Sequence, residues 1–196
     1  LGANAHDLVD GEVSVEVSGL VNMHKVGSYT LTYKATDSAG NSSYLFRVVN
    51  VQDTTGPLIT LNGEQEITLE AGSNYIELGA TATDLSDNIL VSSHSEVNNL
   101  VPGQYVVNYN AVDNEGNESY SVRLVNVVDT TGPVITLNGN IILNHEVDTP
   151  FVDPGESAND LIDGPSEVLV EGTVNTNKLG EYELHYSSSD KSGNST

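Results

Sequence analysis

"GSYTLTYKATDSAGNSS", residues 27–43, reads as a strand, a tight turn and the start of a second strand. Tyr29, Leu31, Tyr33 and Ala35 alternate with Thr30, Thr32, Lys34 and Thr36. A period of two in aromatic and β-branched residues marks a strand with one buried face. The following "DSAGN" puts Gly40 where a hairpin turn needs a positive φ. The phrase returns as "GQYVVNYNAVDNEGNES" at 103–119 and "GEYELHYSSSDKSGNST" at 180–196, with Gly116 and Gly193 in the turns. The matching inward faces are Tyr105, Val107, Tyr109, Ala111 and Tyr182, Leu184, Tyr186, Ser188.

Other landmarks keep the same spacing. "DLVDG" at 7–11 returns as "DLSDN" at 84–88 and "DLIDG" at 160–164, and "RVVNVQD" at 47–53 returns as "RLVNVVD" at 123–129. "DTTGPLITLNG" at 53–63 returns as "DTTGPVITLNG" at 129–139. Every offset is 76 or 77 residues, which is the signature of a tandem array. The expected domains are 1–52, a repeat lacking its first strands; 53–128, a complete repeat; and 129–196, a repeat lacking its last strand. The chain reads as a window on a longer array. Within a repeat, "PLITL" and "EITLE" are short strand pieces broken at Asn62-Gly63, and Tyr120–Val127 is the antiparallel partner of the long alternating strand. Helical periodicity is nowhere visible, so a small antiparallel sandwich is expected.

"DTTGPVITLNG", "LGATATD", the "DLVDG" string, "VGSYTLTYKATDSAGN" and a closing "RVVNV" together resemble the bacterial immunoglobulin-like repeat of surface and secreted proteins. That family is similar to the hyalin repeat and is also attached to pesticidal crystal proteins. The resemblance implies a seven-stranded Ig-like sandwich, in tandem, used as a spacer and without catalytic residues. Asn88 in place of the usual Gly, and Pro165 in the third copy, depart from the pattern. The fold class expected is all-β, with tandem Ig-like antiparallel β-sandwiches arranged as an extended rod. Pro57 and Pro133 fix φ at each exit from the linker. Repeats of roughly 30–40 Å would give a rod of about 100 Å.

Composition removes several function classes. Six basic residues against 28 acids give a formal charge of −22, which repels a phosphate backbone and an anionic membrane face. No apolar run reaches the roughly 18–20 residues of a membrane span, so direct membrane insertion is not expected. The N-terminal "LGANAHDLVDG" does not read as a signal peptide. Zero Cys excludes disulfides and thiolate metal sites.

The aspartates invite a metal reading. If the linker, the "DLSDN" loop and the "DNEGN" hairpin share a pole, Asp53, Asp84, Asp87 and Asp113 converge there. By the same geometry Asp129, Asp160, Asp163 and Asp190 meet above the third repeat, and Asp7, Asp10 and Asp37 are a remnant in the first. Hard oxygens in loops suit calcium. The competing explanation is turn chemistry, since Asp and Asn cap turns through nearby backbone amides. A glycosidase pair is not expected, because the acids recur identically beside turns with no cleft-forming insertion. The five His residues form no constellation. Tyr29, Tyr105 and Tyr182 fit a tyrosine corner, with the hydroxyl bonded to backbone. Asn41, Asn117 and Asn194 stand in N-x-[ST] sequons at the hairpin tips and are candidate glycosylation positions.

The function expected is a non-enzymatic structural spacer or stalk in an extracellular bacterial surface protein, adhesin or filament, stiffened by calcium at its junctions. Its partners would be neighbouring repeats of the same chain, like chains in a filament, or a surface ligand. One rival is a repeat subunit that itself assembles into an extracellular filament; another is a polysaccharide-binding accessory module of a secreted enzyme. That rival needs exposed aromatics, for which Tyr75 and Phe151 are the candidates.

Overall fold

The computed structural model describes residues 2–85 and 88–196. All regular structure among these residues is β. The first repeat holds β1 (Ala5–Asp7), β2 (Gly11–Val13), β3 (Val15–Ser18), β4 (Gly27–Thr36) and β5 (Ser42–Val51). The middle repeat holds β6 (Leu58–Leu61), β7 (Glu66–Glu70), β8 (Ala80–Thr83), β9 (Leu90–Ser95), β10 (Gly103–Val112) and β11 (Glu118–Val128). The third holds β12 (Val134–Leu137), β13 (Glu156–Asp160), β14 (Gly164–Ser166), β15 (Val168–Glu171) and β16 (His185–Ser188).

In the first two repeats the alternating segments form the long strands expected of them; in the third, only His185–Ser188 is strand and 180–184 is not. β4 and β5 pair antiparallel from Gly27↔Val51 to Thr36↔Ser42. Their turn closes through Asp37 N–H to the Asn41 carbonyl at 3.0 Å, with Gly40 at φ +90°. The same bond, Asp113 to Asn117 and Asp190 to Asn194, closes the other two turns at 3.1 and 3.0 Å. Each GxY tyrosine donates its hydroxyl to the carbonyl four residues earlier: Tyr29 to Lys25, Tyr105 to Val101, Tyr182 to Lys178. This bond fixes the chain's entry into the long strand, as a tyrosine corner does.

The middle repeat has a four-stranded sheet in the order β7-β11-β10-β9 and a two-stranded layer, β6-β8. β7 runs parallel to β11, from Leu124↔Glu66 to Val128↔Glu70, where an antiparallel sandwich was expected throughout. β7 and β11 stand far apart in sequence, so the intervening chain can make the crossover that parallel pairing needs. Six strands are described here, not the seven implied by the resemblance. Glu96–Pro102 follows β9 without strand structure and is too short to cross the sheet and return.

The core is best developed in the middle repeat. Val107, Tyr109 and Ala111 of β10 and Val125 and Val127 of β11 are buried, and each fully buried valine contributes about 1.5–3 kcal/mol. Arg123, 1% exposed, lies on this inward face. Its Nε donates to the Glu64 carbonyl at 2.9 Å and an Nη to the Asn62 carbonyl at 2.6 Å. The other Nη pairs with Glu77, which also accepts the Tyr75 and Tyr109 hydroxyls. Burial followed by the Glu77 carboxylate pushes the Tyr75 phenol up to about 12.

Cα proximity divides the chain into two compact units. One comprises Leu1–Ile59, Ala82–Val91 and Ala111–Ser119; the other comprises Thr60–Thr81, Ser92–Asn110 and Tyr120–Thr196. The first unit holds the linker at Asp53 with the loops beside it, and the second holds the linker at Asp129 with its loops. Close packing of linker against hairpin explains the Gly in "DTTGP". A Cβ on Gly56 would fall 2.5 Å from the Glu118 carbonyl oxygen, so no larger residue fits without a backbone shift.

Candidate metal centres

Within the second unit, four aspartates from three chain segments converge. Asp129 leaves β11 into the linker, Asp160 and Asp163 belong to the turn between β13 and β14, and Asp190 begins the last hairpin turn. One carboxylate oxygen from each lies within 4.8 Å of the others, with Asp160 buried and the rest half-buried. These are the four positions picked from the sequence.

Turn chemistry is what delivers them. Asp160 Oδ1 accepts from the Ile162 and Asp163 amides at 2.7 and 2.9 Å. The amides of Asp163 and Ile162 hold the Asp160 carboxyl below its ordinary value. Asp190 accepts the Asn194 backbone and side-chain N–H at 2.7 and 2.8 Å. Asn194 then donates to the Asp129 carbonyl at 3.2 Å, tying hairpin to linker. Ser192 Oγ donates to Asp129 Oδ2 at 3.0 Å. Local capping and convergence therefore coexist, because each cap fixes where a carboxylate stands. Lys191 also reaches the cluster: its backbone amide donates to Asp163 Oδ2 at 2.8 Å, and its ammonium lies 3.9 Å from Asp163 Oδ1.

Within the first unit, the described set is Asp53, Asp113 and Glu115. Glu115 escaped sequence reasoning, because the other repeats carry Ala39 and Ser192 at its place in the turn. Its signal was the one extra acid in "DNEGN". Asp84 is not among the three, and Asp87 lies outside the described residues. Asn117 bridges as Asn194 does, from Asp113 Oδ2 at 2.7 Å to the Asp53 carbonyl at 3.4 Å. Burial pushes the Asp113 carboxyl up, but the Asn117 side-chain and backbone bonds outweigh it and the group lies below its ordinary value.

One observation here bears directly on a cation. Asp53 Oδ2 and Asp84 Oδ2 are both shielded from solvent and without a hydrogen-bond partner. A buried carboxylate oxygen with nothing to bond is costly, and hard oxygens of this kind are what calcium takes. The donor set fits the ion. In the first repeat, by contrast, Asp7 caps the Val9 and Asp10 amides, and Asp10 accepts from Ser38. Asp37 accepts from Asn41.

Asn41, Asn117 and Asn194 each donate their side-chain amide to the Asp that opens their turn. Tyr75 and Phe151 are half-buried. The Tyr75 hydroxyl bonds Glu77, and Phe151 makes a T-shaped contact with the His145 ring at 5.4 Å.

Residues 1–51, 59–127 and 135–196 each match the model of the family described as bacterial surface protein, Ig-like domain. The chain belongs to that family, which places it at the cell surface. It is 35% identical over 173 residues to hyalin of Lytechinus variegatus, covering 80% of this chain and 32% of hyalin. It is 33% identical over 132 residues to an uncharacterized 81.3 kDa protein of Acholeplasma phage L2, covering 62% of this chain and 18% of that protein. The chain thus spans a third or less of these relatives. Among solved structures, the extracellular cadherin domains 1–5 of protocadherin gamma B2 align over 96% of this chain and 48% of theirs. That alignment has 14% identity and a TM-score of 0.37, too loose to carry an argument.

Proposed function

We propose that this chain is a non-catalytic spacer of an extracellular surface protein, built of repeats 1–52, 53–128 and 129–196, whose junctions are stiffened by calcium. The convergence of Asp129, Asp160, Asp163 and Asp190 on the linker carries this reading. Carboxylates from the linker that opens the third repeat and from two of that repeat's loops, held by one ion, fix the linker against the repeat it enters. The unpartnered oxygens of Asp53 and Asp84 support the same role at the preceding linker. The surface charge keeps neighbouring molecules apart in solution. The acids recur at turn positions and are committed to backbone amides, which supports a mechanical role over acid–base chemistry. Asn117 and Asn194 serve the linkers in this reading, so a glycan, where the source makes one, is assigned to Asn41.

The test is thermal unfolding of the whole chain in EDTA and in millimolar Ca²⁺. A ligand that binds only the folded state at a hundredfold excess over Kd adds about 2.7 kcal/mol. We expect a clear rise in Tm, reduced in the variant carrying Asp129→Asn and Asp163→Asn. An unchanged Tm overturns the calcium reading.

A further inference from the structure

We propose that Glu70 and Gly72 at the end of the middle repeat form a docking surface for Thr130, Thr131 and Leu161 of the third repeat, latching that junction without any cation. It goes beyond the calcium reading, because none of the four clustered aspartates takes part.

The latch has a polar half and a steric half. Glu70 closes β7, and its carboxylate accepts from the Thr130 amide at 2.9 Å, the Thr130 hydroxyl at 2.7 Å and the Thr131 hydroxyl at 2.8 Å. Bonds to an ionised acceptor are stronger than neutral ones. Both threonines of the linker are therefore bonded to one side chain about sixty residues away. Beside it, Gly72 stands at φ +82°, and a Cβ there would lie 2.5 Å from Leu161 Cδ2. The tip of Leu161 thus lies over the glycine, with most of the leucine still exposed, 73%. The surrounding segment is held in shape by Ala71 N–H to Val128 at 2.6 Å and Gly72 N–H to Asn99 at 2.7 Å. Asn99 adds a side-chain bond to the Ser73 carbonyl at 2.6 Å.

At the preceding linker, Thr55 donates its amide and hydroxyl to Asp53 Oδ1, at 3.1 and 2.9 Å; Thr131 keeps the matching amide bond to Asp129 Oδ1, at 3.4 Å, but gives its hydroxyl to Glu70. Seventy-six residues beyond Glu70 the acid recurs as Glu146, but Asp148 replaces Gly72. Asp148 keeps the backbone conformation, φ +62°, and the matching amide bond to Thr176 at 2.8 Å. A side chain now occupies the place where a leucine would sit. The same pole is thus shaped to receive Leu161 in the middle repeat and obstructed in the third.

The absence of native Cys allows spin labels at Asn108→Cys and Ser187→Cys, one exposed site in each repeat. Pulsed dipolar spectroscopy on the full chain in EDTA should give a narrow distance distribution. It should broaden markedly in the Glu70→Gln variant and in the Thr130→Val, Thr131→Val pair, and also in Gly72→Val. The two threonines are exposed, so their replacement leaves the repeats folded even if Gly72→Val does not. Unchanged distributions in the Glu70 and threonine variants overturn the latch. A wild-type distribution that is broad in EDTA and narrows only with Ca²⁺ overturns it too, while leaving the calcium reading standing. A narrow distribution indifferent to Ca²⁺ but broadened by these variants does the reverse.

Discussion

Two regions of this protein take carboxylates out of water, and they are compensated differently. In the core of the middle repeat, Glu77 meets Arg123 and two tyrosine hydroxyls, so the charge is neutralised and its oxygens are bonded within the chain. At the linker poles, carboxylates crowd together, and at Asp53 and Asp84 one oxygen each is left with no partner. The core carries its own cation; the poles rely on backbone amides, on Asn bridges and, at Asp163, on a distant exposed ammonium. A site whose charge is complete is structural. One whose charge is incomplete can respond to an ion from outside.

The largest effect should come from breaking the core. Glu77→Ala strands a guanidinium that is 2% exposed, and breaking a buried pair on one side costs about 3 kcal/mol. Denaturant unfolding should show this loss. Replacing both partners, Glu77→Leu with Arg123→Met, should recover much of it. The corresponding Asp153→Ala in the third repeat should cost less, because Asp153 bonds Tyr186 and the Gly155 amide and meets no guanidinium in these contacts. Equal losses would erase the distinction between paired and hydrogen-bonded carboxylates.

A second test sharpens the contrast at the poles. Lys191→Ala removes the ammonium near Asp163 while leaving the four carboxylates in place. Its side chain is 81% exposed, so the gain in cation affinity should be modest, about two- to threefold. Calorimetric Ca²⁺ titration of the full chain reads it, and a weaker affinity would mean that Lys191 organises the site instead of competing with the ion.

The smallest effect is in acid. Asp113 and Asp160 have folded-state pKa values below the ordinary 3.8. Their stabilisation is therefore fully present above that value and is lost as pH falls through the folded value. Tm in EDTA should hold down to about pH 4 and fall below it. A Tm that rises on acidification into that range would mean that repulsion among the clustered acids outweighs the bonds to their caps.

Much of this was legible in the residues. The inward stripe Val107, Tyr109, Ala111 followed from alternation, and the tyrosine hydroxyl bonds followed from GxY. The second acidic cluster was legible for a different reason: its four members sit at turns that recur at one spacing, so their pole could be deduced. Glu115 was not, since it occurs once and a repeat argument weighs only what returns. Arg123 was hidden in plain view, at an inward position of an alternating strand, with Arg47 at the same place in the first repeat. Its acid partner lies 46 residues away on another segment.

By itself, then, the sequence determined the repeat, most of its strands and turns, and the four aspartates that gather at the second linker, because strand period and turn chemistry are local and act within a few residues. The tertiary structure decided what those local pieces meet: the parallel seat of β7, the burial of Arg123 against Glu77, the unpartnered oxygens of Asp53 and Asp84, and the closure of Glu70 on Thr130 and Thr131. Each of these joins segments tens of residues apart. Local propensity fixes the direction in which a side chain leaves the backbone, but only the packed chain fixes what lies at the other end.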